Sequence, residues 1–546
     1  MRQIIHTSIS FFELDFLSFL PEFFFIFGIL FLLTLFVIVG DSNAFKKPEI
    51  TIFSIKCFLF LFLFLFILLV NSLFSFESFS SNFLFAFSSF TSLIKLLLLL
   101  VSFFCLILSI SYFNVEKINI YEFSVLFALS LLGLFLLVSS NDLLSFYLAV
   151  ELQSLSFYIL AALKRDSNLS TEASLKYFVL GAVSSAFLLF GFAILFGFSG
   201  LTNFTDLAIF FDMMSSNLAV EYEFLDFDFS QYDLTIRPRN FWLTELANYI
   251  DRIHRHPEMW FIGFLFISMG LLFKLGVFPF YIWIPDVYEG VPTIVTAIFS
   301  IVPKIAVISF FVRLYTKIFF ATLPPDLQFF NFLVIAAAAS ILFGGLGAIY
   351  QLKIKRIFAY SAISHTGFLI LGLSLSTFNG LFSFFLYLVL YLILSLNFFS
   401  IFLNLRFFSN PLLKFKKLSD FSNLAKQNPI LGICLSLNFF SMAGVPPLAG
   451  FFSKAFVFMS LLDSGYFFLS AIIICFSVIS SFFYIRLIKN IYYSKNPLKL
   501  VSLSEFTKSD SIIISITTLL NVLFFYTTNF YFDFVQTVIV SLFSSF

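Results

Sequence analysis

Glu151, Lys274, Lys304 and Lys454 each stand inside an apolar run long enough to cross a membrane, and His365 stands inside another. A charge at the centre of a bilayer costs about 2.5–3.5 kcal/mol on insertion scales, so buried ionisable residues default to ion or proton pathways. Glu151 lies nine residues past Asp142, about 13 Å along a helix at a rise of 1.5 Å per residue, near mid-depth. Lys304 follows Pro303, whose ring removes a backbone donor and frees a carbonyl one turn back. Lys274 precedes Pro279 and Pro285, and Lys454 follows Pro446 and Pro447. Burial disfavours a charged amine and a nearby carboxylate restores it. A Glu–Lys pair of variable separation therefore switches a lysine between holding and releasing a proton, with Glu151 drawing its partner from another helix.

Snorkelling to a headgroup is the competing reading for any membrane lysine. Lys56 and Lys95 lie close to span ends and are expected to snorkel; Lys274, Lys304 and Lys454 sit too deep. His365, in FAYSAISHTGF, has two readings that the sequence leaves open: a satisfied core histidine or a member of a proton relay.

The elements that carry these residues must be membrane helices. Of 546 residues, 60% are hydrophobic and 11% charged, with a net charge of +1, far from a soluble domain at roughly 45–50% and 25%. Balanced charge supplies no basic patch for nucleic acid. The 92 phenylalanines fit the codon bias of an AT-rich, organelle-like genome better than any packing demand. Cys57, Cys105, Cys434 and Cys475 lie in apolar runs without CxxC spacing, and the four histidines are scattered. An iron–sulfur or zinc site built by this chain alone is not expected. The N-terminus carries Glu13 and Asp15 and does not read as a cleaved leader.

A span needs roughly 20 apolar residues. Fourteen are expected: 21–40, 52–74, 91–112, 121–140, 142–164, 173–199, 259–281, 291–316, 329–350, 357–376, 378–406, 430–460, 465–489 and 511–533. Continuous runs of this length exclude a β-barrel and specify an all-α polytopic bundle. Loops leaving odd-numbered spans hold nineteen Lys and Arg, those leaving even-numbered spans six. The positive-inside rule then places the N-terminus on the outer side. Residues 213–258 are too polar to span; they read as a solvated outer-side insertion, or alternatively as a docking surface for a partner.

GVFPFYIWIPDVYEG (276–290) and GVPPLAGFFSK (444–454) interrupt apolar spans. Broken helices at membrane depth are tolerated where they line protein or water, and transporters place them in corresponding positions of two repeats. Lys274 and Lys454 fit two five-helix units. The expected organisation is residues 1–120 as three N-terminal helices, 121–316 and 329–492 as two five-helix repeats, and 493–546 as a C-terminal helix.

ELQSLSFYILAALKR (151–165), FKLGVFPFYIWIPDVYEGVPT (273–293), FSIVPKIAV (299–307), RIFAYSAISHTGF (356–368) and FSMAGVPPLAGFFSKAFVF (440–458) resemble the chain 2 family of antiporter-like subunits of NADH:ubiquinone oxidoreductase, respiratory complex I. The resemblance covers roughly 120–490. It implies a fourteen-helix fold with two inverted five-helix repeats and discontinuous helices near Pro279 and Pro446. It also implies Glu151 as gating carboxylate, Lys274 as its paired lysine, Lys304 as central relay and Lys454 as exit-side lysine. Tyr281 departs from the histidine frequent in relatives, which puts a proton role there in doubt.

The same resemblance implies a proton-translocating membrane-arm subunit without its own cofactor. NADH, FMN, iron–sulfur clusters and ubiquinone are then expected in partner subunits. The neighbours would be the sister antiporter-like chain 4, the small chains 4L and 6, and phospholipids, with no nucleic acid. The setting would be the mitochondrial inner membrane, or alternatively a bacterial one. The rival is an Mrp-type cation/proton antiporter subunit. Sodium sites want clustered carboxylates and carbonyls at depth, and this chain offers one clear mid-span acid.

Overall fold

The structure is a computed structural model that describes residues 18–41, 49–73, 78–79, 84–116, 120–219, 257–316, 328–375, 377–407, 410–422, 424–493 and 507–544. In chain order the helices begin with α1 (Leu20–Asp41), α2 (Glu49–Leu73), α3 (Ser89–Glu116), α4 (Glu122–Ser139), α5 (Leu143–Ala161), α6 (Asn168–Ser199) and α7 (Phe204–Ala219). Then come α8 (Pro257–Leu275), α9 (Trp283–Gly290), α10 (Thr293–Leu314), α11 (Gln328–Ile349), α12 (Ile354–Ser374) and α13 (Phe378–Asn404). The last are α14 (Leu424–Gln427), α15 (Pro429–Ala443), α16 (Ala449–Asp463), α17 (Phe467–Tyr493), α18 (Lys508–Val522) and α19 (Thr528–Ser544). Two small antiparallel ribbons complete the described elements: Ser78–Phe79 with Ala86–Phe87, and Arg406–Phe407 with Asn410–Lys414.

Twelve helices among the described residues are long and apolar enough to cross a membrane. Two further crossings are broken, α8–α9 and α15–α16, where Gly and Pro interrupt the apolar run. The protein is a polytopic helical bundle. Helices α10, α12 and α13 are buried on nearly every face and form its centre, whereas α1, α6 and α17 present most of their surface outward. A helix apolar all round is at home in either place. Outward side chains such as Phe27, Leu175, Val179 and Val478 are apolar, as lipid or a hydrophobic partner requires.

Both breaks have one local cause. The segments read Gly276-Val277-Phe278-Pro279 and Gly444-Val445-Pro446-Pro447. Gly276 and Gly444 have φ of 71° and 90°, a left-handed conformation that costs an L side chain about 1–2 kcal/mol. Each closes its helix with the same pair of bonds. Val277 N–H donates to Leu272 O and Gly276 N–H to Phe273 O; Val445 N–H donates to Phe440 O and Gly444 N–H to Ser441 O. This is the Schellman closure of a helix C-terminus. Helix α15 starts on a matching signal, Asn428 accepting from Leu431 N–H ahead of Pro429.

The insertion expected at 213–258 overlaps the end of α7, which continues helically to Ala219; residues 220–256 of it lie outside the described residues. Two expectations need correction. The span expected at 511–533 ends at Val522, passes through a 3₁₀ turn over Leu523–Phe525 and gives way to a separate helix, α19. Lys95 does not snorkel: it is 2% exposed and forms an ion pair with Glu22, also buried, on α1. The Lys95 amine also sits 4.8 Å from the Phe87 ring centroid. Its depth, counted along its own run, missed a carboxylate supplied by another helix.

Candidate functional site

Glu151 projects from the middle of α5. Its Oε2 accepts from Ser154 Oγ at 3.2 Å, and its Oε1 is buried with no hydrogen-bond partner among the described residues. Lys274 belongs to the last turn of α8, just before the Gly276 break. Its Nζ is enclosed and likewise without a hydrogen-bond partner among the described residues, while Glu151 is the charge within electrostatic reach of it. The two are neighbours but not a closed ion pair. The break beside them is sealed by Trp283, whose Nε1–H donates to Phe273 O at 3.0 Å.

Lys304 occupies the middle of α10, 4% exposed. Its amine donates to Tyr391 Oη at 3.0 Å, and that hydroxyl donates to Ser300 O at 3.2 Å. Pro303 denies Phe299 O its usual helical donor, and Tyr288 Oη supplies one at 3.3 Å. The carbonyl that Pro303 leaves free therefore takes its hydrogen bond from Tyr288, which the second half of the α8–α9 break carries.

His365, in mid-α12, is bonded at both ring nitrogens: Nδ1 to Tyr387 Oη at 2.7 Å and Nε2 to Tyr484 Oη at 3.1 Å. It is a fully satisfied core histidine, yet its partners are hydroxyls able to pass a proton. Lys304 and Lys454 both lie within electrostatic reach of it, and its ring centroid is 5.4 Å from that of Tyr391. A cavity of about 20 Å³, lined in part by His365, Tyr391, Ser395 and Met442, has room for about one water.

Lys454, one turn and a half into α16, reaches back across the second break. Its Nζ donates to Met442 O and Ala443 O, both at 3.0 Å. These belong to the carbonyls that a helix C-terminus leaves without helical donors, at the negative end of the helix dipole. The amine thus has acceptors without a carboxylate. Met442 stands two residues before Gly444, as Lys274 stands two before Gly276. The breaks, rather than the two lysines, occupy matching positions.

Pro285, Pro446 and Pro447 lie at the breaks, and the hexapeptide beginning at Pro285 has a second task. Asp286 of α9 pairs with Lys176 of α6 at 3.1 Å and with Arg356 of α12 at 2.9 Å. Glu289 pairs with Lys353 and Arg356. This cluster ties the first break to the helix that carries His365. Sequence reasoning missed Tyr288, Tyr387, Tyr391 and Tyr484. The usable signal was the i, i+4 pair Tyr387–Tyr391 in an otherwise aliphatic and Phe-rich helix. Among the described residues no group of His, Cys, Asp and Glu is arranged to hold a metal.

Buried lysines strung between two broken helices of a many-spanning bundle define an antiporter-like membrane subunit. The family model described as NADH:quinone oxidoreductase/Mrp antiporter, TM, matches residues 140–227 and 239–480, and the chain belongs to that family. Among its relatives, NADH-ubiquinone oxidoreductase chain 2 of Marchantia polymorpha is 38% identical over 94% of this chain and 96% of its own. NADH-quinone oxidoreductase subunit N of Pelagibacter ubique is 36% identical over 74% and 76%. The fold is shared with a chain of respiratory complex I from Thermus thermophilus, TM-score 0.68 at 21% identity over 94% of this chain and 98% of that one. It is shared too with a chain of the Mrp complex from Dietzia sp., TM-score 0.72 at 17% identity over 96% and 97%.

Proposed function

We propose that the chain is a proton-translocating membrane-arm subunit of an NADH:ubiquinone oxidoreductase, coupling quinone reduction in neighbouring subunits to proton movement through its buried lysines. Glu151 modulates Lys274; protons pass from Lys274 through water to Lys304, along Tyr391, His365 and its two tyrosines, and on to Lys454. Two five-helix units, 121–316 and 329–492, each contribute one broken helix. The redox groups (NADH, FMN, iron–sulfur clusters and ubiquinone) belong to partner subunits. The sister chain 4, the small chains 4L and 6, and phospholipids are the neighbours we assign. We place the chain in a mitochondrial inner membrane, N-terminus on the intermembrane-space side; a bacterial inner membrane is the alternative setting.

The observation that carries this reading is the placement of Lys304 and Lys454, both nearly fully buried, within electrostatic reach of His365, which has hydroxyls beside both ring nitrogens. Residues kept at such cost in hydrocarbon are expected to move charge. An Mrp-type antiporter subunit shares the fold, but the chain 2 and subunit N relatives match this sequence over most of its length, and we adopt their class. In the assembled complex, Lys274→Ala and Glu151→Ala are each expected to lower proton yield and coupled quinone reduction several-fold. Normal assembly with full rate and full proton yield in both variants overturns the relay.

A further inference from the structure

Away from the relay, a groove of about 1060 Å³ lies between α1, α4 and α5. Helices α1 and α5 both pack on α4 far more than on one another, which leaves the cleft open. Its wall is apolar, with Leu33 and Val37 of α1, Leu126 and Leu129 of α4 and Ile159 of α5. Its rim is polar and belongs to the start of α4 and the turn between α5 and α6. In that turn Ser167 N–H and Oγ–H both donate to Lys164 O, at 3.2 and 3.0 Å, and Arg165 and Asp166 stand exposed at its tip.

The depth of the groove decides what fits it. From Glu122 at the rim to Leu129 is seven residues, about 10 Å along the helix. One leaflet is about 15 Å of a hydrocarbon core of about 30 Å, and a spanning helix needs the whole core. The groove therefore suits the tails of a single leaflet and is too short to seat a transmembrane helix. Its charges narrow the headgroup. Lys164 is committed to Glu116 at 2.7 Å. Arg165, Glu122 and Asp166 form no ion pair with a described residue, so the rim keeps one free cation and two free carboxylates. An anionic lipid is disfavoured there, whereas a zwitterion finds a partner for each of its charges. Ser167 immediately precedes α6, and a helix start adds partial positive charge toward a phosphate. Tyr121, also at the rim, is of a residue type that gathers at headgroup depth.

We propose that this groove binds one phosphatidylethanolamine, its phosphate on Arg165 and the start of α6, its ammonium on Glu122 and Asp166, and its acyl chains along α1, α4 and α5. The inference gives a place and a headgroup to the phospholipid neighbour assigned above; it rests on that assignment and on none of the relay residues. A primary ammonium carries three N–H donors, enough to serve two carboxylates. A choline headgroup has no such donor, and cardiolipin brings a second phosphate to a rim with an excess of negative charge. The lipid joins the three N-terminal helices to the first five-helix unit across a cleft that their own side chains leave unfilled.

The test is photolabelling of the assembled complex in phosphatidylcholine vesicles that carry a trace of phosphatidylethanolamine with a photoactivatable acyl chain. Cross-links mapped by peptide mass spectrometry are expected on the groove residues of α4 and α5. Unlabelled phosphatidylethanolamine is expected to displace them at a several-fold lower mole fraction than cardiolipin does. Arg165→Ala is expected to lower this labelling several-fold, and Glu122→Gln with Asp166→Asn to erase the preference over cardiolipin. Labelling of the outward face of α17, at Phe468 and Val478, should be indifferent to headgroup throughout. A groove that stays unlabelled in the assembled complex, that shows no headgroup preference, or that cardiolipin clears equally well overturns the site. Competition in the unaltered protein decides the matter even where a variant fails to assemble. Labelling requires only a folded chain in a membrane, so NADH oxidation by the same preparations reports separately on the NADH:ubiquinone oxidoreductase reading.

Discussion

A buried amine needs acceptors, and the three deep lysines obtain them in different ways. Lys304 has a tyrosine hydroxyl, Lys454 two carbonyls at a helix end, and Lys274 only a carboxylate within electrostatic reach. Tyr391→Phe removes the acceptor of Lys304 while keeping the ring that lies 5.4 Å from that of His365. We expect normal assembly with several-fold slower proton pumping, read as proton yield per NADH oxidised. Lys95→Met should fail differently. It leaves the Glu22 carboxylate buried alone, and breaking a buried pair from one side costs about 3–5 kcal/mol. The loss should show as low yield of folded complex, largely restored when Glu22→Gln accompanies it. The lysines were legible in the sequence because a charge inside an apolar run has few innocent explanations. The tyrosines were not, because a phenol packs like any large ring until its hydroxyl partner is known. Glu22 was hidden for a related reason: its partner is 73 positions away in sequence.

The two broken crossings show how much a short motif controls at the level of the helix. Proline announces that a helix ends, and both breaks were placed from Pro279 and Pro446–Pro447. The closing step belongs to the preceding Gly-Val pair, whose left-handed glycine turns the chain out of the helix. Gly444→Ala should lower the thermal stability of the purified complex by about 1–2 kcal/mol. Gly197→Ala on α6, where an added methyl meets open space, should raise it by up to about 1 kcal/mol. Equal responses at the two positions would mean that the break carries no such conformational demand. The end of the chain was harder to read. Leu523–Phe525 is as apolar as the helices it separates, so hydropathy ran α18 into the turn and on toward α19. The register of elements at 142–164 and 378–406 was legible because polar residues bound long uniform runs on both sides.

Across the whole molecule, the crossings were recovered because hydrocarbon forbids an unpaired backbone. The contacts between them were not, because two uniformly apolar surfaces carry no address. The Asp286–Glu289 cluster with Lys176, Lys353 and Arg356 is one place where charge supplies that address. Asp286 is 38% and Arg356 35% exposed at the side chain, so the cluster is expected to contribute orientation more than stability. Asp286→Asn should shift thermal stability by less than about 1 kcal/mol, with the difference shrinking further at high salt. A larger loss would identify the cluster as a principal clamp between helices. The relay we propose would lie across the bundle: Lys304, His365 and Tyr391 each stand near the midpoint of the helix that bears them, and Lys274 and Lys454 lie beside the two breaks. Moving one elementary charge through the full membrane potential involves about 2.3 kcal/mol per 100 mV. A charge travelling sideways at constant depth does almost none of that electrical work. On the proposed relay, the voltage sensitivity of transport would then arise in the steps that lead into and out of the row, while exchange among its lysines would proceed nearly blind to the potential it helps to build.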